Sequence, residues 1–259
     1  MKQYIVDAFT DEPFSGNPAA VCVMDKWMTD EDMMKLAREN NLSETAFIVK
    51  EEEGYHLRWF TPGTEVDLCG HATLASAYVI LEHYEKTDRV EFITRSGRLT
   101  VTRQDGLYEM DFPVYDYEEI PVTDDMEKAY GVRPARALLG TDLVCVFDKE
   151  EQVRGMKPDQ ALLSELDGRI QNATAAGSEA DCVSRSFAPK LAIAEDPVCG
   201  SAHCQIANFW SAELGKKKIH AYQASERSGH LFCEIGEEGR MTISGNVCLV
   251  TLSEVVAFD

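Results

Sequence analysis

Short apolar runs alternate along the chain with two long segments that are apolar on nearly every side. The runs at 20–24 and 144–147 have the composition of buried strands. The segments 71–81 and 201–210 are apolar on nearly all faces, which is typical of a helix surrounded by protein rather than of an amphipathic surface helix. The pattern therefore predicts an α+β fold with two buried helices.

Capping signals predict where several helices begin and end. Thr29 is placed as the N-cap of a helix over about 30–40, with Asp32 three residues later. The second half predicts a matching helix with Pro158 near its first turn and Gly168 at its end. Gly215, followed by three lysines, predicts the end of the second buried helix.

The two halves of the chain show the same features in the same order. The matching motifs are R-x-F-x-P at 58–62 and 185–189, Cys-Gly at 69–70 and 199–200, and Arg-Ser-Gly at 95–97 and 227–229. Their offsets, 127 (185 − 58), 130 (199 − 69) and 132 (227 − 95), drift slowly, as expected for two copies of one unit with small loop insertions. We predict two similar halves, 1–115 and 116–259, meeting near 113–122, each a curved mixed β-sheet or barrel around one central buried helix.

Composition and charge exclude several classes of protein. Apolar residues make up 44% and charged residues 27% of the 259 residues, as in ordinary globular proteins. The net charge of −20 argues against binding to nucleic acid or anionic membranes. The chain shows no signal peptide and no apolar run of membrane-spanning length, and its eight cysteines form no CxxC pair, so we expect a cytoplasmic protein with reduced thiols and no metal site.

The starts of the two buried helices are the candidate site. A helix N-terminus presents unpaired N–H groups that bind carboxylates or developing oxyanions, and Gly70 and Gly200 would let a ligand approach them closely. His71 and Asp196 stand beside these starts, so we expect a shared cleft there that could bind an anionic substrate. Glu44 lies in a short turn, whereas the corresponding count in the second half reaches Gln171, which indicates a single shuttling carboxylate. Arg58 and Arg185 are expected to lie along strands and to pair with acids.

Four motifs resemble those of the phenazine-biosynthesis isomerase-like proteins, whose relatives share the diaminopimelate epimerase fold. The motifs are VDAFT with PFSGNPAAV at 6–21, NLSETAF at 41–47, DLCGHAT at 67–73, and SRSFAP leading to EDPVCGSAH at 184–203. The match covers essentially the whole chain.

The resemblance implies a cofactor-independent isomerase, often a homodimer, without metal, flavin or nicotinamide. It implies that Glu44 carries a proton between two carbons of the substrate, while His71, Asp196 and Ser201 position and polarise that substrate. We place Asn17, Gly70, Gly200 and Ser201 among the substrate-binding residues. A dihydro-hydroxyanthranilate is one candidate substrate.

Two departures from the family pattern keep alternatives open. Cys199 stands where the family often has Thr, and with Cys69 it recreates the two-thiol arrangement of the related amino-acid epimerases and racemases. Ser228 stands where a second Gly is expected, so the loop beside the site could differ in shape. The alternatives to an isomerase are therefore a two-thiol epimerase and a non-catalytic binding protein on the same fold.

Overall fold

A computed structural model describes residues 1–258, which form two compact units. The first unit comprises Met1–Asp111 and the C-terminal segment from Ser244, and the second comprises Phe112–Ile243. The strands are β1 (Lys2–Ala8), β2 (Asn17–Met24), β3 (Glu44–Glu51), β4 (Gly54–Phe60), β5 (Glu65–Val66), β6 (Arg89–Thr94), β7 (Gly97–Gln104), β8 (Leu107–Pro113), β9 (Tyr117–Ile120), β10 (Arg136–Gly140), β11 (Leu143–Val146), β12 (Gln171–Ala176), β13 (Cys182–Ala188), β14 (Ile193–Asp196), β15 (Lys218–Gln223), β16 (Gly229–Ile235), β17 (Arg240–Gly245) and β18 (Val247–Glu254). The helices are α1 (Asp30–Asn40), α2 (Gly70–His83), α3 (Asp124–Tyr130), α4 (Glu150–Arg154), α5 (Gln160–Glu165) and α6 (Gly200–Leu214), with a 3-10 turn at Pro189–Leu191.

The first unit is a mixed sheet in the order β18-β1-β2-β3-β4-β6-β7-β8, with β5 also paired to β4. The pairs β2–β3 and β4–β6 are parallel, and the C-terminal strand joins the unit by pairing with β1. Helix α2 packs on β1, β2 and β3, and all its residues from His71 to Ala77 are buried. Helix α1 packs on β3 and β4 through Met33, Leu36 and Ala37, and the Thr29 hydroxyl caps it by accepting from the Asp32 amide, as predicted.

The second unit is a mixed sheet in the order β9-β10-β11-β12-β13-β15-β16, with β14 paired to β13. One face of β12 and β13 carries an apolar cluster with residues of the short helices, and the other face meets α6. On the α6 side, Trp210 Nε1 donates to Thr174 Oγ1 over 2.9 Å. Gly215, with φ of 64°, caps α6 in the left-handed conformation, as predicted. The α+β prediction with two buried helices is confirmed.

The helix predicted with Pro158 near its first turn is present as α5, but it is shorter than predicted. Helix α4 is a second helix in this region and ends at Arg154, before Pro158. Asp159 caps α5 by accepting from the amides of Ala161 and Leu162, so Pro158 precedes the helix. The helix ends at Glu165, and Gly168 lies beyond it in a turn with φ of +79°. No helix within residues 1–258 combines the length and apolar character needed to cross a bilayer.

Candidate active site

In the first unit, Glu44, Cys69 and His71 come together where β3 and α2 begin. Glu44 is the first residue of β3, and Cys69 is the N-cap of α2. His71 Nε2 lies 3.2 Å from Glu44 Oε2, and His71 Nδ1 lies 3.5 Å from Cys69 Sγ. The imidazole thus stands between the carboxylate and the thiol with one ring nitrogen toward each.

Burial and proximity determine the charge states in this group. The side chains of Glu44 and His71 are only 13% and 9% exposed. Burial lowers the pKa of His71, but the neighbouring Cys69 sulfur and Glu44 carboxylate outweigh it and raise that pKa well above its usual value. Burial, with the Glu44 charge, raises the pKa of Cys69. Burial therefore favours the thiol form of Cys69, and the Glu44 charge favours the protonated form of His71.

These three side chains are the one set within residues 1–258 whose His, Cys and acid ligand atoms approach closely enough to share a metal ion, within 4.8 Å of one another. A single ion would have to be bound by one imidazole nitrogen. In the structure, Nδ1 faces the thiol and Nε2 faces the carboxylate. The thiol and the carboxylate therefore face different nitrogens of the ring.

Asn17 lies on the strand beside Glu44. It is the first residue of β2 and is fully buried, and Ala19 pairs with Glu44 across the parallel β2–β3 ladder. The turn before it depends on Gly16, whose φ is +66° and where an added Cβ would lie 2.2 Å from the Ala8 carbonyl oxygen. Backbone crowding therefore explains the glycine before Asn17.

In the second unit, Asp196, Cys199, Gly200 and Ser201 gather where α6 begins. Asp196 ends β14, Cys199 is the N-cap, and Gly200 and Ser201 open the helix. Cys199 Sγ lies 3.5 Å from Ser201 Oγ. Gln223 ties the segment together, because its amide accepts from the Cys199 N–H over 2.9 Å and donates to the Asp196 carbonyl over 2.6 Å. Burial, with the charge of Asp196, raises the pKa of Cys199 well above its usual value.

His203 is uncharged and stabilises the first turn of α6 through its hydrogen bonds. Burial lowers its pKa to about 4. A carbonyl oxygen can only accept, so Nδ1–H donates to the Cys199 carbonyl over 2.7 Å, and Nε2 then accepts from the Ser184 hydroxyl over 3.0 Å. His203 therefore supports the helix start structurally.

Both motif arginines pair with acids, as predicted. Arg58 donates through Nε and Nη2 to the two carboxylate oxygens of Glu65, both over 2.7 Å. Arg185 donates in the same way to Glu195 over 2.8 and 2.7 Å. Glu195, which precedes Asp196, is thus engaged in a structural ion pair.

Arg169 and Asp142 also belong to the surroundings of α6, and the sequence patterns did not identify them. Arg169 Nε and Nη2 donate to the two carboxylate oxygens of the fully buried Asp142, over 3.2 and 3.4 Å. Arg169 Nη2 also donates to Ser201 Oγ over 3.1 Å. A cation therefore lies at the start of α6.

The pairing registers of the strands show which residue of the second unit corresponds to Glu44 of the first unit. Phe60 pairs with Thr45, and the matching Phe187 pairs with Gln171, an offset of 126 (171 − 45). The counterpart of Glu44 is therefore Ile170 rather than Gln171, and the second unit has no acid there. The same offset makes Arg169 the counterpart of Ser43, a correspondence that depends on the register of the strands and not on the spacing of the motifs.

Comparisons with known proteins agree with this architecture. The profile of the family described as phenazine biosynthesis-like protein (PhzC-PhzF) matches residues 6–252. The chain is 46% identical over 252 residues to an uncharacterized isomerase of Pseudomonas aeruginosa, covering 96% of each chain. A solved PhzF-family phenazine biosynthesis protein from Enterococcus faecalis superposes with a TM-score of 0.95 at 47% identity, covering 98% of each chain.

A more distant structure shares the fold alone. A predicted epimerase from Pseudomonas aeruginosa superposes with a TM-score of 0.76 at 19% identity over 99% of each chain. The family resemblance and the epimerase-like fold are thereby confirmed. The chain belongs to the phenazine biosynthesis-like family, whose curated relatives include proteins named as isomerases.

Proposed function

We propose that the protein is a cofactor-independent isomerase that moves a proton, and with it a double bond, on a small carboxylate-bearing substrate. The observation that carries the proposal is the contact between Glu44 and His71, 3.2 Å apart and largely buried. A carboxylate in such surroundings can act as a general base, and a protonated imidazole beside it controls where the proton resides.

The chemical step requires one residue that both removes and returns a proton. The Glu44 carboxylate takes a proton from a substrate carbon, and the C–H electron pair shifts to form a new double bond. The old π bond then accepts the proton from the Glu44 carboxylic acid at another carbon, so no oxidant or reductant is needed. His71 stabilises the intervening charge.

The remaining site residues bind and orient the substrate in this proposal. Asn17 supplies a polar contact beside Glu44, and the roles of Asp196 and Ser201, in the second unit, remain predictions. In the first unit, the amide at Gly70, where α2 begins, binds negative charge on the substrate. A contribution of the Gly200 amide in the second unit remains a prediction. A homodimer, a cytoplasmic location and an anionic small-molecule ligand remain predictions.

Deuterium incorporation tests the proposal. The protein is incubated in D₂O with a dihydro-hydroxyanthranilate and a panel of amino and hydroxy acids, and both label and product are followed by mass spectrometry. Glu44→Gln should reduce turnover by about 10²- to 10⁴-fold, the range of general acid–base catalysis. Glu91→Gln, on the exposed Arg98 ion pair, is the matched control and should leave turnover unchanged. Equal turnover in wild type and Glu44→Gln would refute the proposal.

A two-thiol epimerase is the second candidate, because Cys69 and Cys199 each occupy the N-cap of a buried helix. A helix N-terminus favours a thiolate. Here, however, burial raises the pKa of both thiols, so the protein holds few thiolates at neutral pH. This mechanism also leaves Glu44 without a task.

A further inference from the structure

We infer that Arg169 anchors a carboxylate group of the substrate at the start of α6. The inference rests on the proposed function for the chemical class of the ligand. It assigns a positioning role to a residue that lies outside the motifs shared by the two halves.

Asp142 fixes the orientation of the Arg169 guanidinium. Its carboxylate is fully buried and accepts from Arg169 Nε and Nη2, and its Oδ1 also accepts from the Ile170 amide over 3.2 Å. Gln205, on α6, accepts from the Asp142 amide over 3.2 Å. A planar guanidinium held at two of its nitrogens has a fixed orientation, so its remaining N–H groups point in a fixed direction.

The Arg169 guanidinium is partly exposed and contacts Ser201. The Arg169 side chain is 41% exposed, and its Nη2 donates to Ser201 Oγ. Among residues 1–258, the hydrogen bonds of Arg169 use Nε and Nη2, so the N–H groups of Nη1 are left for a ligand. The Ser201 hydroxyl accepts from Arg169, so its own proton can be donated to the same ligand.

The local charge suits a monoanion. Asp142 neutralises much of the Arg169 charge, whereas the first turn of α6 contains no acidic residue and contributes the positive end of the helix dipole. Asp196 adds a negative charge near the same helix start. The place therefore has little net positive charge but several N–H and O–H donors, which fits a single carboxylate better than a doubly charged phosphate.

Two fully buried polar side chains supply an independent sign of a ligand. Asn172 and Ser186 are directly opposite each other in β12 and β13, and the Asn172 amide and Ser186 hydroxyl have no hydrogen-bond partner within residues 1–258. They share the sheet face of Ser184, which contacts His203 on α6, and Ser186 pairs with Asp196 on the side where α6 begins. Unpaired buried polar groups are costly, so this region is built to receive polar atoms from a ligand or its water.

The test measures binding of anthranilate and benzoate against their uncharged amides, anthranilamide and benzamide, by calorimetry. Removing Arg169 alone would leave Asp142 buried without its partner, so the main variant is Asp142→Asn/Arg169→Gln. Arg136→Gln is the control, because it removes an equal charge that pairs with Glu213 near the other end of α6.

Wild type and Arg136→Gln should bind the carboxylates more tightly than the amides. The double variant should lose about tenfold to hundredfold in carboxylate affinity, as for a lost charged hydrogen bond, with amide binding unchanged. Arg169→Lys keeps the charge but lacks the planar guanidinium that Asp142 orients, so it should also lose carboxylate affinity. Unchanged carboxylate affinity in the double variant or in Arg169→Lys, or no preference for carboxylates in wild type, would overturn the inference.

Glu44→Gln separates this inference from the proposed function. It should keep the carboxylate preference while losing proton transfer. Wild type could bind carboxylates in a way that depends on Arg169 and yet transfer no proton on any compound of the panel. That result would contradict the isomerase proposal and would leave the inference about Arg169 standing.

Discussion

His71 Nε2 lies 3.2 Å from Glu44 Oε2, so the first turn of a buried helix meets the first residue of a neighbouring strand through two titratable groups. In this buried contact the Glu44 carboxylate is one of the groups that raise the pKa of His71. The contact has consequences both for catalysis and for the pH dependence of stability.

The stability of the protein should depend on His71 at and above neutral pH. The pKa of His71 is raised in the folded state, so its stabilising contribution is complete below the unfolded value of about 6.5 and is lost as pH rises through the higher folded value. Urea unfolding of wild type and His71→Gln from pH 6 to pH 8.5 measures this effect. The difference in unfolding free energy should shrink with pH, by at most about 1.4 kcal/mol per pH unit. A constant difference would contradict the assigned protonation.

His203 should have the opposite effect at acid pH. Burial lowers its pKa from 6.5 to about 4. Between these pH values the unfolded state binds a proton and the folded state does not, so stability falls as pH drops from 6.5 toward 4. The full effect is about 3 kcal/mol. Wild type should therefore lose more stability over this range than His203→Gln. Parallel losses in the two proteins would show that the imidazole is not held neutral.

Alkylation should not select Cys69 or Cys199. Seven of the eight cysteines are buried, and Cys248 is the exception. The thiolate is the reactive form, and burial raises the pKa of both N-cap thiols. Iodoacetamide at pH 8, followed by peptide mapping, should label Cys248 first, and unfolded protein provides the control in which all sites react. Faster labelling of either N-cap cysteine would favour the two-thiol mechanism.

Gly168 should be less replaceable than Gly215, although both have positive φ. An added Cβ at Gly168 would lie 2.3 Å from the Leu143 amide nitrogen, whereas nothing lies within 4 Å at Gly215. Gly215→Ala should cost about 1–2 kcal/mol from the left-handed conformation alone. Gly168→Ala should cost more and should weaken carboxylate binding, because Arg169 follows it directly. Urea unfolding compares the variants, and equal losses would contradict the predicted clash.

The sequence predicted the parts of the fold that depend on local pattern and on repetition. The two buried helices, the Thr29 cap and the Gly215 stop follow from hydrophobicity and capping chemistry, and the structure has all of them. The repeated R-x-F-x-P motif correctly predicted paired arginines, because a charged side chain on a half-buried strand needs an acid nearby.

Features that depend on pairing register or on long side chains could not be read from spacing. Phe47 pairs with Arg58 eleven residues later (58 − 47), whereas Ala173 pairs with Arg185 twelve residues later (185 − 173), so counting placed the counterpart of Glu44 one residue too far along. Arg169 reaches Asp142 and Ser201 only after the sheet has formed. The spacing of Asp142, Arg169 and Ser201 along the chain follows no periodic pattern, so it could not predict these contacts.

The most direct test of the central claim compares deuterium incorporation and product formation by wild type, Glu44→Gln and Cys69→Ser/Cys199→Ser on the same panel in D₂O. If Glu44 carries the proton, the Glu44 variant should lose about 10²- to 10⁴-fold in turnover while the double cysteine variant stays close to wild type. Loss of turnover in the double cysteine variant alone, with Glu44→Gln active, would contradict the account and favour the two-thiol epimerase.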